Sequence, residues 1–107
     1  MPIKLAYHQK LYLSKSIQKK NIKKMKKQLE NKPLVSNVYL ITPARNGRDL
    51  LEFYSSRMLA QPYYQKEPPY VIGIAATYEE ALLLVEQLVF ECYEARGDCA
   101  LREYLSC

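Results

Sequence analysis

The chain has no tryptophan, one histidine, three glycines and three cysteines in 107 residues. Each scarcity excludes something. His8 is the one histidine, and no spacing around it suggests a Ser-His-Asp, Cys-His or metal-binding arrangement. Cys92, Cys99 and Cys107 stand seven and eight residues apart, which matches neither zinc-ligand nor Cys-x-x-Cys redox spacing. They are expected as reduced thiols, with Cys92 a small core residue on a helix. No catalytic residue, metal ligand or cofactor is implied, so a binding protein is expected ahead of an enzyme.

Long apolar runs are missing too. Ala81–Val85 falls far short of the about 20 residues that span a bilayer. The opening MPIKLAYHQKLYL has neither the uninterrupted apolar run nor the small-residue cleavage site of a secretion signal. A soluble, cytoplasmic protein with no membrane partner is the expectation. A composition 49% apolar and 25% charged suits one globular domain over residues 1–107, because two cores in so short a chain would each be too small.

Acids are nearly absent from the first third. Residues 1–32 carry ten lysines and one glutamate, a net +9, whereas residues 33–107 carry six lysines or arginines and ten acids, a net −4. The overall +5 is therefore local, and clustered charge governs electrostatic binding more than the total does. The domain divides into a basic strand and helix segment, 1–32, and a strand-helix-strand-helix core, 33–107.

Prolines punctuate the chain, since each disfavours helix in the residue before it. Residues 3–13 alternate in hydropathy and predict one strand, or two interrupted near His8-Gln9. Ser14 and Ser16 suit the N-cap of a helix starting near Ile17 and ending by Lys32, ahead of Pro33. Val35–Thr42 is rich in β-branched and aromatic residues and predicts a strand. Asn46 is expected to cap a second helix, with Leu50, Leu51, Tyr54 and Met58 on its apolar face, fraying before Pro62. Tyr70–Ala76 is the next strand. Thr77 and Glu80 have capping-box spacing for a third helix, and Gly97 is placed just past its end. A final strand is expected over about Ala100–Leu105. The fold class is α/β: a mixed sheet of three to four strands with three helices, in β-α-β-α-β-α-β order. Successive strands are expected parallel, with the terminal strands antiparallel at the edges.

Three features point toward function. On a helical wheel, Gln18, Ile22, Met25 and Leu29 form a narrow docking strip, while Lys15, Lys19, Lys20, Lys23, Lys24, Lys26 and Lys27 cover about half of the circumference. Lysines so arranged suit the phosphates of a nucleic acid or another polyanion, with little sequence discrimination, or serve only as a solvated face. Glu80, Gln87, Glu91 and Glu94 share a stripe on the last long helix, so a homodimer joining positive and negative faces is the alternative. The loop Thr42–Arg48 joins a strand end to a helix start. If the central strands run parallel, Arg45, Asn46, Gly47 and Arg48 would meet Thr77 as a site for a small anion. The tyrosines and prolines of residues 61–70 are expected to form a stiff loop packed over the sheet.

Overall fold

Tyr70–Ala75, the strand β4, has five of its six residues buried, which requires cover on both faces of the sheet. The computed structural model describes residues 5–32, 37–43, 51–98 and 100–105. The other strands are β1 (Ala6–Leu13), β2 (Tyr39–Pro43) and β3 (Leu51–Ser55), and the sheet order is β1-β4-β2-β3. The helices are α1 (Ile22–Asn31), α2 (Pro62–Lys66), α3 (Tyr78–Arg96) and α4 (Leu101–Leu105). The α/β class and the mixed four-stranded sheet are as expected from the sequence.

Two apolar clusters, one on each sheet face, make three layers. Tyr12, Ile41 and Ile72 meet Leu84, Leu88 and Cys92 of α3 and Leu101 and Leu105 of α4. On the opposite face Leu40, Val71 and Ile74 meet Leu29 of α1 and Leu59, with Ile22, Met25 and Tyr64 at the margin. Adjacent Leu40 and Ile41 point to opposite clusters, as the two-residue strand period demands. The lysine helix α1 and the long helix α3 therefore lie on opposite faces of the sheet.

Local chemistry explains α3 well. Thr77 Oγ1 accepts from the Glu80 backbone N–H at 3.1 Å, Glu79 and Glu80 sit at the positive end of the dipole, and Arg96 sits at the negative end. Gly97 ends the helix with φ at 78°, a left-handed cap that glycine adopts without a Cβ penalty. Residues 6–13 form one strand rather than two, with an irregularity around His8-Gln9: β1 pairs with β4 at Tyr7↔Val71 and next at Tyr12↔Gly73, so the intervening residues bulge.

Several expectations are corrected. Leu51–Ser55 is a strand rather than part of a helix: Leu51 and Phe53 face the α3 cluster and Tyr54 the α1 cluster, a period of two that the wider spacing Leu51, Tyr54, Met58 had disguised. Asn46, its expected cap, lies outside the described residues. A 3-10 turn over Ser56–Ala60 follows, and Pro62 opens α2 at the first helical position instead of ending a helix. The stretch 61–70 is thus partly helical. Residues 101–105 are helical rather than a strand, since Leu101 and Leu105 share one buried face at i, i+4 spacing. There are four helices among the described residues instead of three. Pairing also differs: β1 runs parallel to β4, but β2 is antiparallel to both β3 and β4. The edges are β1 and β3, because the short β2–β3 connection allows a hairpin where a helical crossover was expected.

His8 shows how the C-terminal helix is held. Its Nε2 lies 2.8 Å from the Leu105 carbonyl, and its Nδ1 accepts from the Lys10 N–H at 3.0 Å. One neutral tautomer, protonated at Nε2, satisfies both bonds. Arg96 completes the attachment through Asp98 at 3.1 Å and Glu103 at 2.7 Å.

Candidate functional site

The lysine segment does not begin as a capped helix. Gln18 precedes a 3-10 turn over Lys19–Asn21, and neither Gln18 nor Asn21 makes a side-chain cap hydrogen bond. Ser14 and Ser16, the expected caps, are used elsewhere. The Ser14 hydroxyl accepts from the Ala76 N–H at 3.0 Å, while the Ser16 N–H and hydroxyl both donate to the Glu80 carboxylate, at 3.2 and 2.7 Å. These bonds tie the end of β1 to the start of α3. Glu80, whose carboxylate turns toward Ser16, supplies only half of a capping box.

The Ser16 hydroxyl, with that of Ser14 adding, holds the Glu80 carboxyl below its usual range. A carboxylate depressed in the folded state contributes stability above its unfolded pKa, and this is lost as pH falls through the folded value. Asp98 acts in the same direction, through the Ala100 N–H and then Arg96. Thermal denaturation should therefore show the protein losing stability as pH drops below about 4.5, the ordinary glutamate value. Ser16→Ala should lose less on the same acidification. An equal loss in both proteins would mean that this clamp does not sense pH.

The seven lysines do not form one surface. Lys26 is half-buried, with its Nζ 4.5 Å from the centroid of the Tyr7 ring, a cation–π contact on the sheet side of α1. Lys15 lies in a cleft of about 140 Å3 with Glu80, Leu83 and Gln87, beside α3 rather than α1. The remaining five, Lys19, Lys20, Lys23, Lys24 and Lys27, are exposed on the outer side of the α1 segment. Among the described residues none of these five is in an ion pair. At its C-terminal end the face becomes a shallow concavity lined, among the described residues, by Lys24, Lys27, Gln28, Asn31 and Lys32. Asn31 and Lys32 were not in the sequence-derived face, although Asn31 follows Lys27 by four residues and so shares its side of the helix. The Asn31 amide donates to the Lys27 carbonyl at 2.9 Å and closes the last turn.

Helix α1 is charged against its own dipole. Its first turn has no acid and includes Lys23 and Lys24, while its last turn has no base and includes Glu30. Each such placement costs a few tenths of a kcal/mol up to about 1 kcal/mol. Helix α3, in the same protein, opens on two acids and has Arg96 in its last turn, although Glu94 lies in that turn too. The lysines of α1 are therefore poorly explained as helix stabilisers, and their positive field adds to that of the uncapped N-terminus.

The acidic stripe is less available than its spacing suggests. Glu80 is engaged by Ser16, and Glu91 accepts from Gln87 at 3.3 Å and lies half-buried beside Tyr12. Burial, with Glu91 adding, pushes the Tyr12 phenol up to about 12. Glu94 is exposed. Because α1 and α3 cover opposite sheet faces, a union of lysine face and acidic stripe would be head-to-tail, an arrangement that stays open-ended unless it closes as a ring.

Arg45, Asn46, Gly47 and Arg48 lie outside the described residues. Thr77 caps α3. The parallel strands that were to bring the loop to Thr77 are antiparallel: Tyr39, at the start of β2, is the partner of Ala75, while Pro43 ends β2 at the far side. Comparison with protein-family models, curated proteins and solved structures finds no match.

Proposed function

We propose that this is a non-enzymatic binding protein whose α1 segment contacts the phosphates of a nucleic acid. The observation that carries the reading is the open face of Lys19, Lys20, Lys23, Lys24 and Lys27, without an ion pair among the described residues. Lysine acts as a point charge, so the contact is electrostatic, tolerant of sequence and sensitive to salt. The apolar strip of α1 is spent on the sheet through Leu29, Ile22 and Met25, which leaves the helix nothing to insert into a bilayer. No helix among the described residues is long and apolar enough to cross a membrane. A cytoplasmic setting belongs to this reading.

Mobility shifts with duplex and single-stranded DNA and RNA, across a salt series, test it. Replacing Lys19, Lys20, Lys23 and Lys24 with glutamine should reduce the slope of log affinity against log salt by roughly one per lysine. At low salt the same variant should bind at least about ten-fold more weakly. Absence of any shift by the wild-type protein at low salt sinks the proposal, and so does a quadruple variant that binds as well as the parent.

A further inference from the structure

The exposed large apolar side chains are concentrated on α3. Tyr78, Leu82, Leu83, Phe90 and Tyr93 are 46–64% exposed, although the inner side of the same helix, with Ala81, Leu84, Leu88 and Cys92, is buried against the sheet. A helix apolar on both sides is a helix with a second packing partner. Phe90, Val89, Tyr93 and Glu86 line a concavity on its outer side.

We infer that α3 is the interface of a two-fold homodimer, in which the α3 helices of two copies pack antiparallel. The sequence of the outer face argues for a second copy as the occupant. Glu79, Leu82, Glu86, Val89, Tyr93 and Arg96 recur at spacings of three and four, a heptad seam. Reversed upon itself, this seam is complementary: Glu79 meets Arg96 at both ends, Leu82 meets Tyr93, and Glu86 meets Val89. Parallel pairing would instead set Glu79 on Glu79 and Arg96 on Arg96. Arg96 spends its Nε on Asp98 and its Nη2 on Glu103, which leaves guanidinium donors for a partner's carboxylate.

The area suffices. Three aromatic rings more than half exposed, with Leu82 and Val89 beside them, offer on the order of 500 Å2 per copy, taking 150–250 Å2 for a whole aromatic side chain. Two copies then bury about 1,000 Å2, where specific interfaces begin. Leu83 points to the flank of this seam and is not needed. Glu86 is the feature that opposes pairing, since its carboxylate must lie against the partner's Val89, and this limits the affinity.

The dimer has a consequence that rests on the proposed polyanion contact. Because α1 covers the sheet face opposite α3, pairing through α3 leaves the two lysine faces on opposite outer sides. Such a dimer bridges two nucleic-acid segments instead of clasping one.

Light scattering on the full chain at micromolar concentration should give twice the 12.5 kDa chain mass, with little change on adding salt. Leu82→Glu with Tyr93→Glu should give a monomer with an unchanged helical spectrum, and Glu86→Gln should dissociate at several-fold lower concentration than wild type. A wild-type monomer overturns the inference, as does a dimer that survives the double substitution with its fold intact. A salt-labile, open-ended series of oligomers overturns it in favour of lysine-to-glutamate stacking. Bridging is read separately, by recovery of a labelled duplex on an immobilised one. A dimer that binds nucleic acid without bridging disproves the outward arrangement, and a dimer that binds none disproves the proposed function alone.

Discussion

Leu88→Ala lowers the free energy of unfolding by about 2–5 kcal/mol, while Leu83→Ala changes it by no more than about 0.5 kcal/mol. The two leucines are five residues apart in one apolar block, and nothing in their chemistry separates them. Their surroundings do. Leu88 is fully buried in the cluster that joins α3 to the sheet and α4, so its truncation removes apolar burial and leaves a cavity that neighbours on both sides fill only in part. Leu83 is 56% exposed on the outer flank, and alanine is an equal or better helix former. Urea denaturation of both variants checks the difference. Comparable losses would mean that α3 is docked in a different rotation from the one described.

Gly73→Val destabilises by about 3 kcal/mol, and Gly73→Ala by about 1 kcal/mol. Gly73 sits in β4 at the exit of the β1 bulge, where a Cβ would lie 3.2 Å from Leu84 Cδ2, 3.2 Å from the Tyr12 carbonyl oxygen and 3.4 Å from Ile41 Cδ1. Leu84 can shift by a few tenths of an ångström to admit a methyl. The Tyr12 oxygen is backbone of the neighbouring strand, so valine's two further methyls force β1, α3 or both away from β4. The glycine is therefore required by close approach. Chemical denaturation measures the cost, and neutral behaviour of the valine variant would show that α3 does not press on β4 at this point.

Strand β4 and helix α3 followed directly from an apolar run, a Thr-x-x-Glu opening and a closing glycine, because each boundary there is made by a bond between near neighbours. Most of the docking strip of α1 was equally plain, since Leu29 is buried and Ile22 and Met25 pack at its side, whereas Gln18 is exposed ahead of the helix. Leu51–Ser55 was not legible. Its spacing satisfies both a helix and a strand, and the choice is made by backbone pairing to β2, which no local pattern encodes. The same holds for Leu101–Leu105, whose helical face is set by His8, distant in sequence, and by Arg96.

For the candidate site, composition and periodicity located a positive face and five of its lysines, but not the departure of Lys15 and Lys26 from it. Charge and spacing along the chain suffice to say that residues 15–27 are basic and that one side of the helix must dock, because both follow from the 3.6-residue period alone. Only folding decided that Tyr7 would take Lys26 out of that face, that Glu80 would draw Lys15 and Ser16 toward α3, and that the remaining lysines would lie across the sheet from the exposed α3 seam. Local hydrogen bonds and periodicity operate over a few residues and are written in order along the chain. Strand pairing and the choice of sheet face join residues as far apart as Ser16 and Glu80, and are settled by which apolar surfaces are buried together.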